Sequence, residues 1–252
     1  MKRYVSAARL LRLSATISAL LALLTVELER APVFAAEPPA SAETIDMSVE
    51  VGRNLGEVVN LMDAGKFAEA SAAMQTLRDL SSQERMNDYE ELRMLQTAAQ
   101  LNTAMQQYRE AIADYAVILQ MDAVSEAERL ATADMIGQLY LQLQNWDKGL
   151  EYLVDVNTRQ GGTSMETLFR IAFAYHQLGK VADAIPYMEQ ALVIGGDRAG
   201  EVYYSNMATL YMAVDSHAKA KATLEALIQK FPDSANRSSH QQNLDALSAA
   251  QP

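Results

Sequence analysis

The chain is predicted to be all-α, a solenoid of about five antiparallel helix pairs closed by a C-terminal helix. Three observations predict this fold class. From about residue 51 onward the sequence is rich in strong helix formers, namely Ala, Leu, Gln, Glu and Met. Strand signals are nearly absent, with no sustained alternation and no Asn-Gly or Asp-Gly hairpin turn. A residue pattern also returns at intervals of 41, 38, 35 and 36 residues.

Composition excludes several classes of function. The 252 residues contain no cysteine, which removes disulfide frameworks, thiolate zinc sites, cysteine nucleophiles and a lipid-modified N-terminal cysteine. The formal net charge of −11 disfavours nucleic acid as a partner, because phosphate binding needs concentrated Lys and Arg.

The first element is a predicted secretory signal peptide at residues 1–35. Residues 1–12 carry four basic side chains and no acid, residues 13–26 carry no charge, and Val33 and Ala35 supply the small pair before a cleavage site. This order is typical of a signal peptide cleaved after Ala35, and it predicts a periplasmic protein with no membrane span after cleavage. A retained anchor is the alternative, although fourteen uncharged residues are short for a bilayer. Residues 36–50 are interpreted as a flexible tether.

The repeated pattern is read from one small residue in the second half of each unit, here called the anchor position: Ala70, Ala111, Gly149, Ala184 and Ala220. Four residues after the anchor, a bulky side chain always returns: Met74, Tyr115, Leu153, Met188 and Leu224. Five residues before it lies a turn or polar residue: Gly65, Gln106, Gln144, Gly179 and Asp215. Small residues at a helix crossing let two backbones approach, so each unit is predicted to be two packed antiparallel helices.

This pattern resembles the tetratricopeptide repeat, a helix–turn–helix unit that recurs about every 34 residues. The resemblance covers about 185 residues, in predicted units at 51–80, 92–124, 130–164, 165–198 and 201–234. The last unit closes with Phe231-Pro232, like the proline that ends the consensus repeat. Residues 235–252 are predicted to form a polar-faced capping helix and tail, because terminal repeats need a soluble cover.

A narrower resemblance rests on the stretches YREAI and GQLYLQLQNWDKGLEYL and on Pro186. The chain is similar there to exported tetratricopeptide proteins found beside TonB-ExbB-ExbD systems, which drive uptake across the outer membrane. Asn102 and Val181 depart from the pattern. The resemblance implies a periplasmic adaptor that binds a protein partner of such a complex. An adaptor for cell-wall or outer-membrane assembly is the alternative, and an enzyme with an unrecognised site is a remote one.

The candidate site is a peptide-binding groove lined by the first helix of each unit. Its predicted lining residues are Gln96, Gln100, Asp134, Gln138, Gln142, Phe169, Phe173, Gln177, Ser205, Thr209 and Met212. Side-chain amides both donate and accept, which suits the backbone of an extended partner segment. The alternative is that these glutamines are only polar helix formers on a wet surface. The set contains no Lys, Arg or Asn, which disfavours a clamp for a C-terminal carboxylate.

No catalytic, cofactor or metal site is predicted. The three histidines, His176, His217 and His240, lie far apart in the sequence and show no ligand spacing. His217 takes a position that other units fill with Phe, Tyr, Trp or Val, so it is interpreted as a packing residue. The acidic run at Asp88, Glu90 and Glu91 is interpreted as a solvated linker face.

Overall fold

The computed structural model describes residues 47–249, and every regular element in that range is a helix. The chain divides into two compact units, with the division between Leu143 and Gln144. The predicted signal peptide, most of the predicted tether and residues 250–252 lie outside the described residues. Signal cleavage and tether flexibility therefore stay predictions.

Unit 1, which ends at Leu143, contains five described helices. They are α1 (Val49–Asp63), α2 (Phe67–Ser82), α3 (Asp88–Ala104), α4 (Tyr108–Ile118) and α5 (Glu126–Gln142). Helix α1 packs on α2 and α3 packs on α4, as pairs joined by short turns. Helix α3 also contacts both helices of the first pair, and α5 packs on α4.

Unit 2, which starts at Gln144, contains the other six described helices. They are α6 (Trp146–Arg159), α7 (Met165–Gln177), α8 (Val181–Gly195), α9 (Glu201–Ala213), α10 (His217–Lys230) and α11 (Arg237–Ala249). A 3-10 turn at Gly196–Arg198 follows α8, which itself continues through Pro186. Each helix of this unit packs on the next one along the chain.

The packing confirms the helix-pair register read from the sequence. All five anchor residues are buried, and the four alanines among them have no exposed surface. The bulky residues four positions later are also buried, each at most 3% exposed. A small side chain on one helix and a large one a turn later interlock at a close crossing. The predicted fold class, an all-α solenoid of helix pairs with a C-terminal helix, is thus confirmed for the described residues.

The turn after each of the five first helices contains a residue with a left-handed φ. This residue, five positions before the anchor, has a φ from 55° at Asp215 to 72° at Gly179. The residue two positions later begins the next helix along the chain, at Phe67, Tyr108, Trp146, Val181 and His217. Glycine adopts a left-handed φ without steric cost, whereas Gln106, Gln144 and Asp215 carry strain there.

Two first helices begin four residues earlier than the repeats predicted from the sequence. Helix α3 starts at Asp88 instead of residue 92, and α5 starts at Glu126 instead of residue 130. Each begins with a capping box, in which Asn87 or Ser125 and the glutamate three residues later satisfy each other's backbone N–H groups. The sequence carries this signal as N-x-x-E and S-x-x-E, before the first apolar residue that sets the register.

Helix α11 packs against the last helix pair. Leu244 and Leu247 are partly buried on a cluster formed by Ala208, Leu224 and Leu227. Its remaining residues, apart from His240, are half-buried or exposed. A helix with a narrow apolar stripe and a polar outer face suits the end of a repeat array, where no further unit follows.

Candidate peptide-binding surface

In unit 1 the candidate surface consists of the polar residues predicted on α3 and α5. Gln100, Asp134 and Gln142 are half-buried, whereas Gln96 and Gln138 are each only 5% exposed. Two of the four predicted amides are therefore largely covered by neighbouring side chains. The helix period places these residues on one face, but packing decides how much of each a ligand can reach.

Hydrogen bonds within each helix occupy the buried amides. Arg93 Nη1 donates to Gln96 Oε1 at 3.1 Å, and Gln138 Nε2 donates to Asp134 Oδ2 at 2.6 Å. Gln142 Nε2 is buried and has no hydrogen-bond partner within the described part of the chain. A buried polar group without a partner is destabilising, so the Nε2 atom of Gln142 is an unfavourable contact in this part of the structure.

In unit 2 the two phenylalanines of α7 expected to line the groove are buried core residues. Phe169 is 8% exposed and packs on Tyr203 of α9, with ring centroids 4.7 Å apart. Phe173 is 3% exposed and meets Trp146 of α6 edge to face at 5.8 Å. Their rings pack α6, α7 and α9 against one another. The main role of Phe169 and Phe173 is therefore packing within unit 2.

The remaining predicted residues of unit 2 are more accessible. Gln177, Ser205, Thr209 and Met212 are all half-buried. Thr209 Oγ1 donates to the backbone carbonyl of Ser205 at 2.9 Å, the usual bond of a helical threonine to the preceding turn. Their ligand-binding role, like that of the unit 1 residues, stays a prediction.

Sequence reasoning missed a buried polar network in unit 1. Asp114 on α4 is 6% exposed and accepts two bonds from Arg78 Nη2 of α2, both at 2.9 Å. Asn102 Nδ2 of α3 donates to Asp114 Oδ2 at 2.8 Å. The next residue, Tyr115, is buried beside this carboxylate, and burial together with the Asp114 charge raises its pKa to about 12. We call Arg78, Asn102 and Asp114 the unit 1 staple, because it joins three helices.

The sequence predicts that the acidic run at Asp88, Glu90 and Glu91 lies in a linker. This prediction is wrong, because the three residues form the first turn of α3. Glu90 is 3% exposed, which corrects the interpretation of a wholly solvated face. Its carboxylate accepts from the backbone N–H of Ser48 at 2.7 Å and of Asn87 at 3.0 Å. Burial by itself would raise the pKa of Glu90, but these hydrogen bonds outweigh it and the pKa is lowered.

Two tyrosines of unit 2, Tyr175 and Tyr211, lie at the same position of successive repeats, nine residues before the anchor, and both contact α8. Tyr175 and Tyr187 stack with centroids 5.6 Å apart. Tyr211 donates from its hydroxyl to Glu189 Oε1 at 2.5 Å, and Lys219 Nζ donates to the same oxygen at 3.1 Å. The bonds from Tyr211 and Lys219 lower the pKa of Glu189, so it is ionised at neutral pH. These contacts join α8 to α7, α9 and α10.

The described residues contain neither a cluster of metal ligands nor a membrane-spanning helix. Nowhere between residues 47 and 249 do three His, Asp or Glu side chains gather closely enough to hold a metal ion. Within the same range, no helix combines the length and apolar character needed to span a bilayer. Burial lowers the pKa of His176, so its ring is neutral at pH 7.

Comparison with protein families finds tetratricopeptide repeats in two segments of unit 2. Two tetratricopeptide-repeat family models match, at residues 166–193 and 198–234. These ranges coincide with the α7–α8 and α9–α10 pairs. No curated protein sequence matches the chain. These matches do not support the narrower resemblance to tetratricopeptide proteins found beside TonB-ExbB-ExbD systems.

Solved structures show the same fold. A tetratricopeptide repeat protein from Parabacteroides merdae superposes with a TM-score of 0.64 at 14% identity, covering 80% of this chain and 75% of that one. MamA from Desulfovibrio magneticus RS-1 gives 0.60 at 13% identity, covering 75% and 99%. MamA from AMB-1 gives 0.57 at 15% identity, covering 76% and 97%. At such low identity the likeness concerns the fold alone.

Proposed function

We propose that this chain is a non-enzymatic protein-binding scaffold that receives a partner segment on the first helices of its tetratricopeptide repeats. One observation carries the proposal. In each unit, taken by itself, first helices carry half-buried polar residues: Gln100 and Asp134 in unit 1, and Gln177, Ser205 and Thr209 in unit 2. Repeat arrays bind through such side chains while the small and bulky residues between them hold the stack.

The structure sharpens which residues would contact the partner. Gln100 and Gln177 are amides that packing leaves partly accessible, whereas Gln142 Nε2 is buried and has no hydrogen-bond partner in the described structure. The amides of Gln100 and Gln177 can donate to and accept from the backbone of an extended peptide. Gln96, Gln138 and the two phenylalanines would then support the surface without large contact areas of their own.

Site-specific photocrosslinking in cells tests the surface. A crosslinker at Gln100 or Gln177, on first helices, should capture one defined partner. The matched controls are Gln75 and Glu225, which are exposed positions on second helices. Equal capture of the same partner from both sets of positions would contradict a binding face on the first helices.

We further propose export to the periplasm and a role beside a TonB-type energy-transduction complex. Export is supported by the basic start, the uncharged stretch and the small residues before Ala36. The TonB association is supported only by the sequence resemblance around YREAI, GQLYLQLQNWDKGLEYL and Pro186. An adaptor for envelope assembly is the second candidate, with the same export signal and the same groove.

Two measurements separate these proposals. N-terminal sequencing of the protein from a periplasmic fraction should start at Ala36, and a start at Met1 would contradict cleavage. Mass spectrometry of the Gln100 and Gln177 crosslinks should identify a component of a TonB-type system. Recovery of cell-wall synthases alone would reject that role and favour the envelope-assembly alternative.

A further inference from the structure

Helix α11 buries few of its own residues where it packs on unit 2. His240 is its one buried residue in the described range, at 7% exposure. Leu244 and Leu247 supply its apolar contacts, and both remain partly exposed on the cluster of Ala208, Leu224 and Leu227. The second helix of a repeat, by contrast, buries three or more residues: α10 buries Ala220, Leu224 and Leu227.

One polar cluster joins α11 and its leading turn to α9. His240 Nε2 lies 2.9 Å from Glu201 Oε1, and Asn236 Nδ2 donates to the same oxygen at 3.1 Å. Glu201 is in the first turn of α9, so the contact joins groups 39 residues apart. We call Glu201, Asn236 and His240 the C-terminal latch.

The helix depends on this attachment for its own structure. A free helix of 13 residues is marginal in water, because nucleation is costly and few backbone bonds follow. Elements with few buried contacts open at lower free energy than the rest of a domain. The α9–α10 pair has buried residues of its own, Tyr203, Met207 and Ala220, so we expect it to stay folded when α11 is released.

We propose that α11 is a hinged cap, which detaches as one element while α7–α10 stay folded, and that the C-terminal latch sets how often it opens. Opening uncovers the apolar end of the last pair at Leu224 and Leu227. Closing returns His240 to Glu201 and shields that end from water. The device operates independently of the proposed partner-binding surface.

Native-state hydrogen exchange of the full chain, followed by mass spectrometry, tests the cap. In the wild type, peptides covering 237–249 should exchange at least tenfold faster than peptides covering 201–230. His240→Ala should accelerate the 237–249 peptides by a further tenfold or so and leave the 201–230 peptides unchanged. Ser239→Ala is the matched control, since Ser239 is the exposed neighbour of His240 on the same helix, and it should change neither.

A second variant guards against an effect of His240 on overall folding. Asn236→Ala removes one latch bond from outside α11 and should accelerate the same peptides by a smaller factor. The proposal is overturned if α11 exchanges at the rate of α10 in the wild type. It is also overturned if His240→Ala accelerates α9, α10 and α11 by the same factor, because the latch would then be ordinary structure of the last repeat.

Discussion

The two units use one repeat pattern but hold it together by different chemistry. Asn102 and Asp114 in unit 1 stand twelve residues apart, as do Tyr175 and Tyr187 in unit 2, at matching distances from their anchors. The first pair is a hydrogen bond of 2.8 Å reinforced by Arg78, and the second is an aromatic stack at 5.6 Å. The ring pairs among Trp146, Phe169, Phe173 and Tyr203 also lie in unit 2. The repeat therefore fixes where two helices meet, and either polar or aromatic groups can fill that place.

The largest expected effect comes from removing the polar centre of unit 1. Asp114→Ala should lower the free energy of unfolding by about 3 kcal/mol, toward the low end for a broken buried ion pair because Arg78 is 37% exposed. Tyr187→Phe, at the equivalent place in unit 2, should cost under about 1 kcal/mol, because the stacked ring remains. Urea denaturation followed by circular dichroism measures both. Equal losses would show that the two positions are held by the same kind of contact.

Next in size is a contrast between two helical glycines. A Cβ on Gly195 would lie 2.3 Å from Met165 Sδ and 3.0 Å from Ala199 Cβ, whereas one on Gly56 would meet nothing within 4 Å. Gly195→Ala in unit 2 should therefore destabilise by about 2 kcal/mol through overpacking. Gly56→Ala in unit 1 should stabilise by about 0.5–1 kcal/mol, because alanine favours the helix. Thermal melts of both variants check the opposite signs.

An acid-dependent effect is expected from Glu90, which holds the start of unit 1. The pKa of Glu90 is lowered in the folded state. Its contribution to the free energy of unfolding is therefore complete above its pKa in the unfolded chain, about 4.5, and is lost as the pH falls through its pKa in the folded protein. Glu90→Gln should cost about 1 kcal/mol at pH 7, as for the loss of a helix cap. The difference between variant and wild type should shrink below pH 4. A difference that stays constant from pH 7 to pH 3 would refute the role of the charge.

The smallest effect concerns the left-handed turn residue. Gln106→Gly in unit 1 should stabilise by about 0.5 kcal/mol, because relief of the strained φ of 59° outweighs the added freedom of the unfolded chain. Gly179→Ala in unit 2 should destabilise by about 1 kcal/mol at a φ of 72°. Chemical denaturation midpoints compare the two. Two changes of the same sign would mean that the turns are not equivalent.

The repeat register could be read from the sequence because it depends on local spacing. Anchor alanines, bulky residues four positions later and turn residues five positions earlier are all within one helix pair, and each took its expected place. The starts of α3 and α5 were misplaced by four residues, although Asn87 to Glu90 and Ser125 to Glu128 carry a readable capping signal. Apolar periodicity alone misses such starts, since capping residues are polar.

The candidate surface was only partly readable. Helical period placed Gln96, Gln100, Asp134 and Gln138 on one face, but it could not show that Gln96 and Gln138 are buried. Burial depends on side chains from other helices, which period does not specify. The Arg78–Asp114 pair spans 36 residues and the His240–Glu201 pair spans 39. Side chains so far apart in sequence give no local signal of their pairing.

By itself, the sequence determined the helix pairs, their turns and the closing helix, because these follow from residue size and backbone preference within about 35 residues. Only the tertiary structure decided which polar groups are buried together, as at Asp114, Glu90 and His240. The physical reason is that a buried charge is tolerated only where hydrogen-bond donors converge on it, and for Asp114 these donors come from two other helices. That convergence is a property of the packed units, and no short stretch of the chain contains it.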